Sequence, residues 1–232
     1  MNLEKDSPVI IDFVGVGGSG KTYLSKIIMD KLDVKCILAS DYKLRLFDSI
    51  KHLIINPVYF FNCLIFLYRT KQKSLKSFKR SFYALSNYKV KYEVLTRKDY
   101  KAILFDEGML HKLRQIRRRS RLDHLGYENI SVKYRNMFFG YPDVVVFVYA
   151  PLETTAKRRS ERKEVCCIEA ETEKLNKVDG GYDMSIEQTI EDIKKAKIEL
   201  CFEAITINNK GNISSTDSTI KNIVHKVTVL LN

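Results

Sequence analysis

The 232-residue chain has no tryptophan, four prolines, ten glycines and five cysteines. So little proline and glycine excludes a collagen-like or linker-dominated chain. The cysteines (Cys36, Cys63, Cys166, Cys167 and Cys201) are odd in number, and no two have the C-x-x-C spacing of a metal or redox motif. With no secretory signal at the N-terminus they read as reduced thiols, which implies a cytoplasmic protein. The four histidines are scattered, so no structural zinc site is expected. Long apolar runs are missing too. The longest, Leu53 to Tyr68, is sixteen residues broken by Asn56, Pro57 and Asn62, and a bilayer span takes about twenty. Hydrophobic residues are nonetheless 45% and charged residues 29% of the chain, which excludes wholesale disorder and suits one domain with an inserted subdomain.

Acidic residues are scarce in one place. From Arg69 to Arg121 there are 17 Lys/Arg and 4 Asp/Glu. The rest of the chain is nearly balanced, so the whole net charge of +12 sits in this segment. Such a block implies an acidic partner, whether a phosphorylated small molecule, a nucleic acid or an anionic membrane surface. The plainer alternative is a solvated helical face.

Short runs that are mostly apolar on both faces recur along the chain: Pro8 to Val14, Cys36 to Ala39, Ala102 to Phe105, Asp143 to Tyr149 and Phe202 to Ile207. Helical patterns lie between them, the first from Lys21 to about Leu32 with Leu24, Ile27, Ile28 and Leu32 on one face. This alternation predicts an α/β fold, a parallel sheet of about five strands covered by helices. Residues 43–101 are too long for a simple crossover and predict a helical insertion between strands 2 and 3. Within it, Leu53 to Tyr68 reads either as a core helix of the insertion or as a monotopic membrane contact, because the basic block begins directly after it. Residues 163–184, with Asp179-Gly180-Gly181, are polar and do not fit the repeat.

The strongest chemical signal is Gly15-Val16-Gly17-Gly18-Ser19-Gly20-Lys21-Thr22. It matches G-x-x-x-x-G-K-[ST], directly after a strand and before a helix. The glycines let backbone N–H groups turn inward around phosphate oxygens, and the helix N-terminus adds partial positive charge. Lys21 would reach the β- and γ-phosphates and Thr22 would place its hydroxyl on Mg²⁺. Gly15, Gly17 and Gly20 also satisfy G-x-G-x-x-G, and Asp41 sits where a dinucleotide fold has its ribose-binding acid. That fingerprint has no use for Lys21-Thr22, however, so the loop reads as an ATP or GTP site.

Together with three further features, this motif resembles the P-loop kinases of nucleotides and small molecules, and thymidylate-kinase-like bacterial ATP-binding proteins in particular. Ile103-Leu104-Phe105-Asp106-Glu107-Gly108 is similar to a Walker B strand end, with Asp106 for the metal and Glu107 facing substrate. Thymidylate kinases carry an arginine where Glu107 stands; the alternative is a strand that merely ends in acids. Pro151-Leu152-Glu153 leading to Arg158 and Arg162 resembles a kinase lid, whose arginines would close over the transferring group. A solvated basic helix is the alternative. Asp41 stands where such kinases often place an acid facing the acceptor hydroxyl, or it caps a helix beginning at Tyr42.

The resemblance implies a single three-layer domain over 1–232 with strand order 2-3-1-4-5. Residues 43–101 would form the acceptor subdomain, 151–184 the lid, and Asn208 to Asn212 the backing of the adenine. It implies transfer of the ATP γ-phosphoryl, with Mg²⁺, to a hydroxyl or phosphate of a small acceptor, anionic in view of the basic insertion. A polynucleotide-directed kinase and a membrane-peripheral, nucleotide-switched ATPase remain alternative readings of the block. His111 reads as a structural histidine.

Overall fold

The computed structural model describes residues 7–44, 55–120, 142–163, 168–176, 186–187, 189–191, 193–194, 203–209 and 217–231. Its centre is a five-stranded sheet in the order β2-β3-β1-β4-β5, every neighbouring pair parallel. The strands are β1 (Val9–Val14), β2 (Cys36–Leu38), β3 (Ala102–Phe105), β4 (Val144–Tyr149) and β5 (Glu203–Asn208). The two faces of β1 show why the runs are apolar throughout. Val9, Ile11 and Phe13 join Leu24, Ile28, Ile220, Ile223 and Val227 on one side. Ile10 and Val14 join Leu85, Tyr88, Leu110, Leu113 and Ala156 on the other. Alternate side chains thus meet different helical layers, and neither face can be polar without cost.

The first layer is α1 (Lys21–Lys31) with α7 (Asp217–Leu231). The second is built from α2 (Pro57–Arg69), α3 (Leu75–Thr96), α4 (Met109–Arg119), α5 (Leu152–Lys163) and α6 (Ile168–Asn176). The three expected layers, the strand order and the helical insertion between β2 and β3 are therefore present. Residues 45–54 of that insertion lie outside the described residues.

Two helix starts follow from local chemistry. Proline at the first position, after Asn56, opens α2, where its missing N–H costs nothing. Ser74 caps α3, its hydroxyl accepting from the Ser77 N–H at 3.1 Å. The cap of α4 comes from elsewhere. Asp12, buried in β1, accepts from the N–H groups of Gly108 and Leu110, both at 3.0 Å. Its oxygens satisfy N–H groups that the first turn of a helix leaves unpaired, and so tie α4 to the central strand. Gly108 is glycine because a Cβ there would collide with the Asp12 carboxyl.

Candidate active site

Parallel strands put all their carboxyl ends on one edge of the sheet, the edge where α/β proteins bind ligands. The turn from β1 into α1, residues 15–20, lies there. Gly20, the N-cap of α1, has φ 95°, a left-handed conformation that favours glycine. A Cβ on Gly15 would collide with the Val148 carbonyl oxygen, so β4 packs directly behind the loop. Lys21 is folded over the loop, its Nζ donating to the carbonyls of Gly15 and Val16, both at 2.9 Å. Burial lowers its pKa to about 8 against the opposing charges of Glu107 and Asp106. Ser19 Oγ is buried with no hydrogen-bond partner among the described residues, an unmet polar group inside a loop shaped for anions.

Thr22 Oγ1 donates to Asp106 Oδ2 at 3.3 Å, so the two expected metal-binding side chains are brought together. This pair suits Mg²⁺, which takes one or two protein oxygens and fills its remaining positions with phosphate oxygens and water. Among the described residues no group of three or more His, Cys, Asp and Glu could hold a metal alone.

Two cavities flank Glu107. The first, about 300 Å³, is lined by Gly15, Val16, Gly17 and Lys21 on one side and His111, Arg114 and Arg118 on the other, with Arg159 from α5. The second, about 280 Å³, lies under α3 between Ala39, Ser40, Asn87, Tyr88, Lys91 and Phe105. Glu107 lines both, as does the cationic character: Lys112 belongs to the second cavity and holds Glu107 Oε2 at 2.9 Å. Burial would raise the Glu107 carboxyl, but the charge and hydrogen bond of Lys112, with the charge of Lys21, outweigh it and leave the pKa lowered. His111 is pushed down to about 3, chiefly by burial. It is neutral at pH 7, so its 3.9 Å approach to Glu107 is not an ion pair.

The two arginines expected to form a lid take different places. Arg158 reaches the P-loop, its Nη1 lying 3.4 Å from Gly18 O and 3.5 Å from Ser19 O. Arg162 is exposed on the same helix, near enough for its charge to help lower the Lys21 pKa. Arg159, which the motif did not single out, lines the first cavity and is held by Glu171 of α6 at 3.1 Å. Asp41 stands exposed in the turn after β2, and Ser40 rather than Asp41 lines the second cavity. Residues 42–44 are not helical, so there Asp41 has no helix to cap.

Sequence reading did not single out Asp12, Asn87, Arg114, Arg118 or Arg159, and it placed Asn209 in the loop behind the adenine rather than against the P-loop. Asn209 donates to Ser19 O at 2.9 Å and packs against Gly20, bracing the loop from the end of β5. Asn87 Oδ1 is buried in the wall of the second cavity without a partner among the described residues. Residues 210–212, expected behind the adenine, and Asp179-Gly180-Gly181 lie outside the described residues.

No protein-family model and no curated protein sequence matches the chain. Among solved structures it is similar to the deoxyadenosine kinase of M. mycoides with dCMP and a flexible dCDP bound. That match has a TM-score of 0.54 and 18% identity, and covers 95% of this chain and 100% of that one. The same kinase with dATP bound matches at a TM-score of 0.53 and 17% identity, over 94% and 99% of the two chains. At such identity the likeness establishes the fold, which is that of the P-loop kinases. Both neighbours are described as deoxyadenosine kinases, not thymidylate kinases.

Proposed function

We propose that this protein is an ATP-dependent phosphotransferase that moves the γ-phosphoryl of ATP, with Mg²⁺, to a small anionic acceptor of nucleotide or sugar-phosphate type. The observation that carries the reading is the cavity in which Lys21, Arg114, Arg118 and Arg159 face one another across the P-loop, joined at Glu107 to a second cavity under α3. The loop amides and Lys21 take the ATP phosphates. Thr22 and Asp106 would hold Mg²⁺, which when bound would neutralise charge on the β- and γ-phosphates. Arg158 and Arg162 close from α5 onto the transferring group, where guanidinium groups stabilise its spread charge.

The state of Glu107 supports a phosphate oxygen as the attacking atom. A hydroxyl acceptor needs a base, and a carboxylate held by Lys112 with a lowered pKa is a poor one. A phosphomonoester, with its second pKa near 6, is already anionic at neutral pH. The arginine missing from the strand end has a substitute in Arg114, on the face of α4 that carries His111 and Arg118 into the same cavity. The acceptor body would lie against Tyr88 and Phe105, with Asn87 Oδ1 taking a hydrogen bond from it.

The test is ATP consumption by the purified protein with Mg²⁺ and a panel of nucleosides, nucleoside monophosphates, sugars, sugar phosphates, oligonucleotides and anionic vesicles. Stimulation by a phosphorylated class is expected; stimulation only by oligonucleotides or vesicles would overturn the reading. Arg114→Gln should raise the acceptor KM by roughly tenfold or more, the loss of one charged hydrogen bond, and leave the KM for ATP unchanged. Asp41→Asn should leave turnover within about threefold, since a phosphate acceptor requires no base. A much larger loss would return Asp41 to the acceptor-facing role that its place after β2 suggests.

A further inference from the structure

Helix α2 buries only one of its faces. Tyr59, Cys63, Phe66 and Leu67 enter the core. On the opposite face Val58, Phe61, Ile65 and Tyr68, three or four residues apart, are 72%, 58%, 47% and 82% exposed. Ile55 before the helix and Leu75 after it are exposed as well. Contiguous exposed apolar residues of this kind mark a contact surface. Charge supplies the second observation. From Ile55 to Tyr92 there are eight Lys/Arg and no Asp or Glu. The basic residues directly after the stripe, Arg69, Lys71, Lys73 and Lys76, are all exposed.

We propose that this face docks the protein onto the surface of an anionic lipid bilayer. Helix α2 lies in the plane of the interface, with Val58, Phe61, Ile65 and Tyr68 at the boundary between headgroups and acyl chains. The cations from Arg69 to Lys76 sit among the headgroup phosphates. The contact is peripheral, because no helix among the described residues is long and apolar enough to cross a membrane.

The chemistry of the face selects this occupant over two others. A second copy contacting through the same segment would bring no carboxylate to answer the cations, since the stretch contains none. A nucleic acid would meet aliphatic Val58 and Ile65, which offer bases no stacking surface. An anionic bilayer presents apolar matter and negative charge side by side. Docking has a geometric consequence for the site. The Tyr59 hydroxyl donates to Leu85 O at 3.0 Å, tying α2 to α3, and Asn87, Tyr88 and Lys91 of α3 line the second cavity. That cavity is therefore one helix removed from the bilayer. The docking itself rests on α2 and stands whether or not the proposed phosphoryl transfer is correct.

The test is flotation of the full-length protein with vesicles of phosphatidylcholine alone or with phosphatidylglycerol added, alongside sedimentation of the protein without lipid. Binding is expected to the phosphatidylglycerol vesicles, with little to phosphatidylcholine alone and a steep loss in high salt. Phe61→Asp and Val58→Asp, at exposed positions, should each weaken binding about tenfold or more without altering the melting temperature or ATP binding. Reversing charge in Lys71→Glu should weaken it by more than the roughly fivefold contributed by one cation near an anionic leaflet. Phe60 is a poorer probe because its ring packs against Phe82 of α3. Absence of binding to phosphatidylglycerol vesicles would overturn the proposal, as would binding that survives all three substitutions. A dimer in solution that ignores vesicles and is dispersed by Phe61→Asp would assign the face to a second copy instead.

Discussion

Lys21→Ala is expected to lower phosphoryl transfer by roughly a hundred- to a thousandfold, the usual loss when one preorganised electrostatic group is removed from a transferring centre. The chemistry asks for a single positive charge where negative charge gathers on the β- and γ-phosphates. In the proposed reaction Lys21 would supply it from the first turn of α1, where Nζ is already held 2.9 Å from the Gly15 and Val16 carbonyls. It is thus oriented before nucleotide arrives. The alanine variant should keep its fold, because the hydrophobic residues that anchor α1, Leu24 and Ile28, are untouched. Calorimetric ATP titration and steady-state turnover, read beside the melting temperature, check this directly. Unchanged affinity and turnover in a folded variant would remove the loop from the site. The lowered pKa, about 8, adds a sign: free-enzyme affinity for ATP should decline as pH rises through 8, when the ammonium loses its proton.

Most of the sheet was legible because its signals are contiguous. Each strand is a short apolar run, and the P-loop residues are neighbours in sequence whose motif fixes the strand before and the helix after. What escaped depends on contacts across the fold. Asp12 looks like a polar interruption in a buried strand, and its two partners are 96 and 98 residues away. Asn209 braces Ser19 across 190 residues. The basic residues of α4 look like a solvated face, yet Arg114 and Arg118 line the cavity in front of the loop. Their spacing from Glu107, with His111 between, was a usable signal, since positions 107, 111, 114 and 118 fall along one side of a helix. Of the two readings of the apolar run in the insertion, the core helix is present, and the membrane contact is the proposal made above. One face of α2 is core and the other is apolar and exposed, a division that composition alone does not contain. Asp41 shows the converse limit: a motif position at a strand end does not fix whether its side chain lines the cavity.

Asp12→Ala is expected to destabilise the protein by about 3 kcal/mol, because it strands two buried N–H groups at the start of α4. It should also depress turnover, since Asp106 and Glu107 occupy the turn between β3 and the helix start that Asp12 holds. The pH dependence distinguishes this carboxyl from an ordinary surface one. Burial raises its pKa to about 7, although the Leu110 and Gly108 N–H groups and the charge of Lys112 pull the other way. In the unfolded chain it titrates near 3.8. Between these values the unfolded chain is ionised and the folded chain protonated, so folding takes up a proton. The contribution of Asp12 to stability therefore falls as pH rises from about 4 to about 7, by at most ~4 kcal/mol, and is flat above that. Asp12→Asn removes the titration while keeping the volume. The stability difference between wild type and this variant, from urea unfolding at a series of pH values, should decline toward neutral pH and then level off. A difference that instead grows toward neutral pH would mean that the two N–H donors outweigh burial and hold Asp12 ionised as a permanent cap.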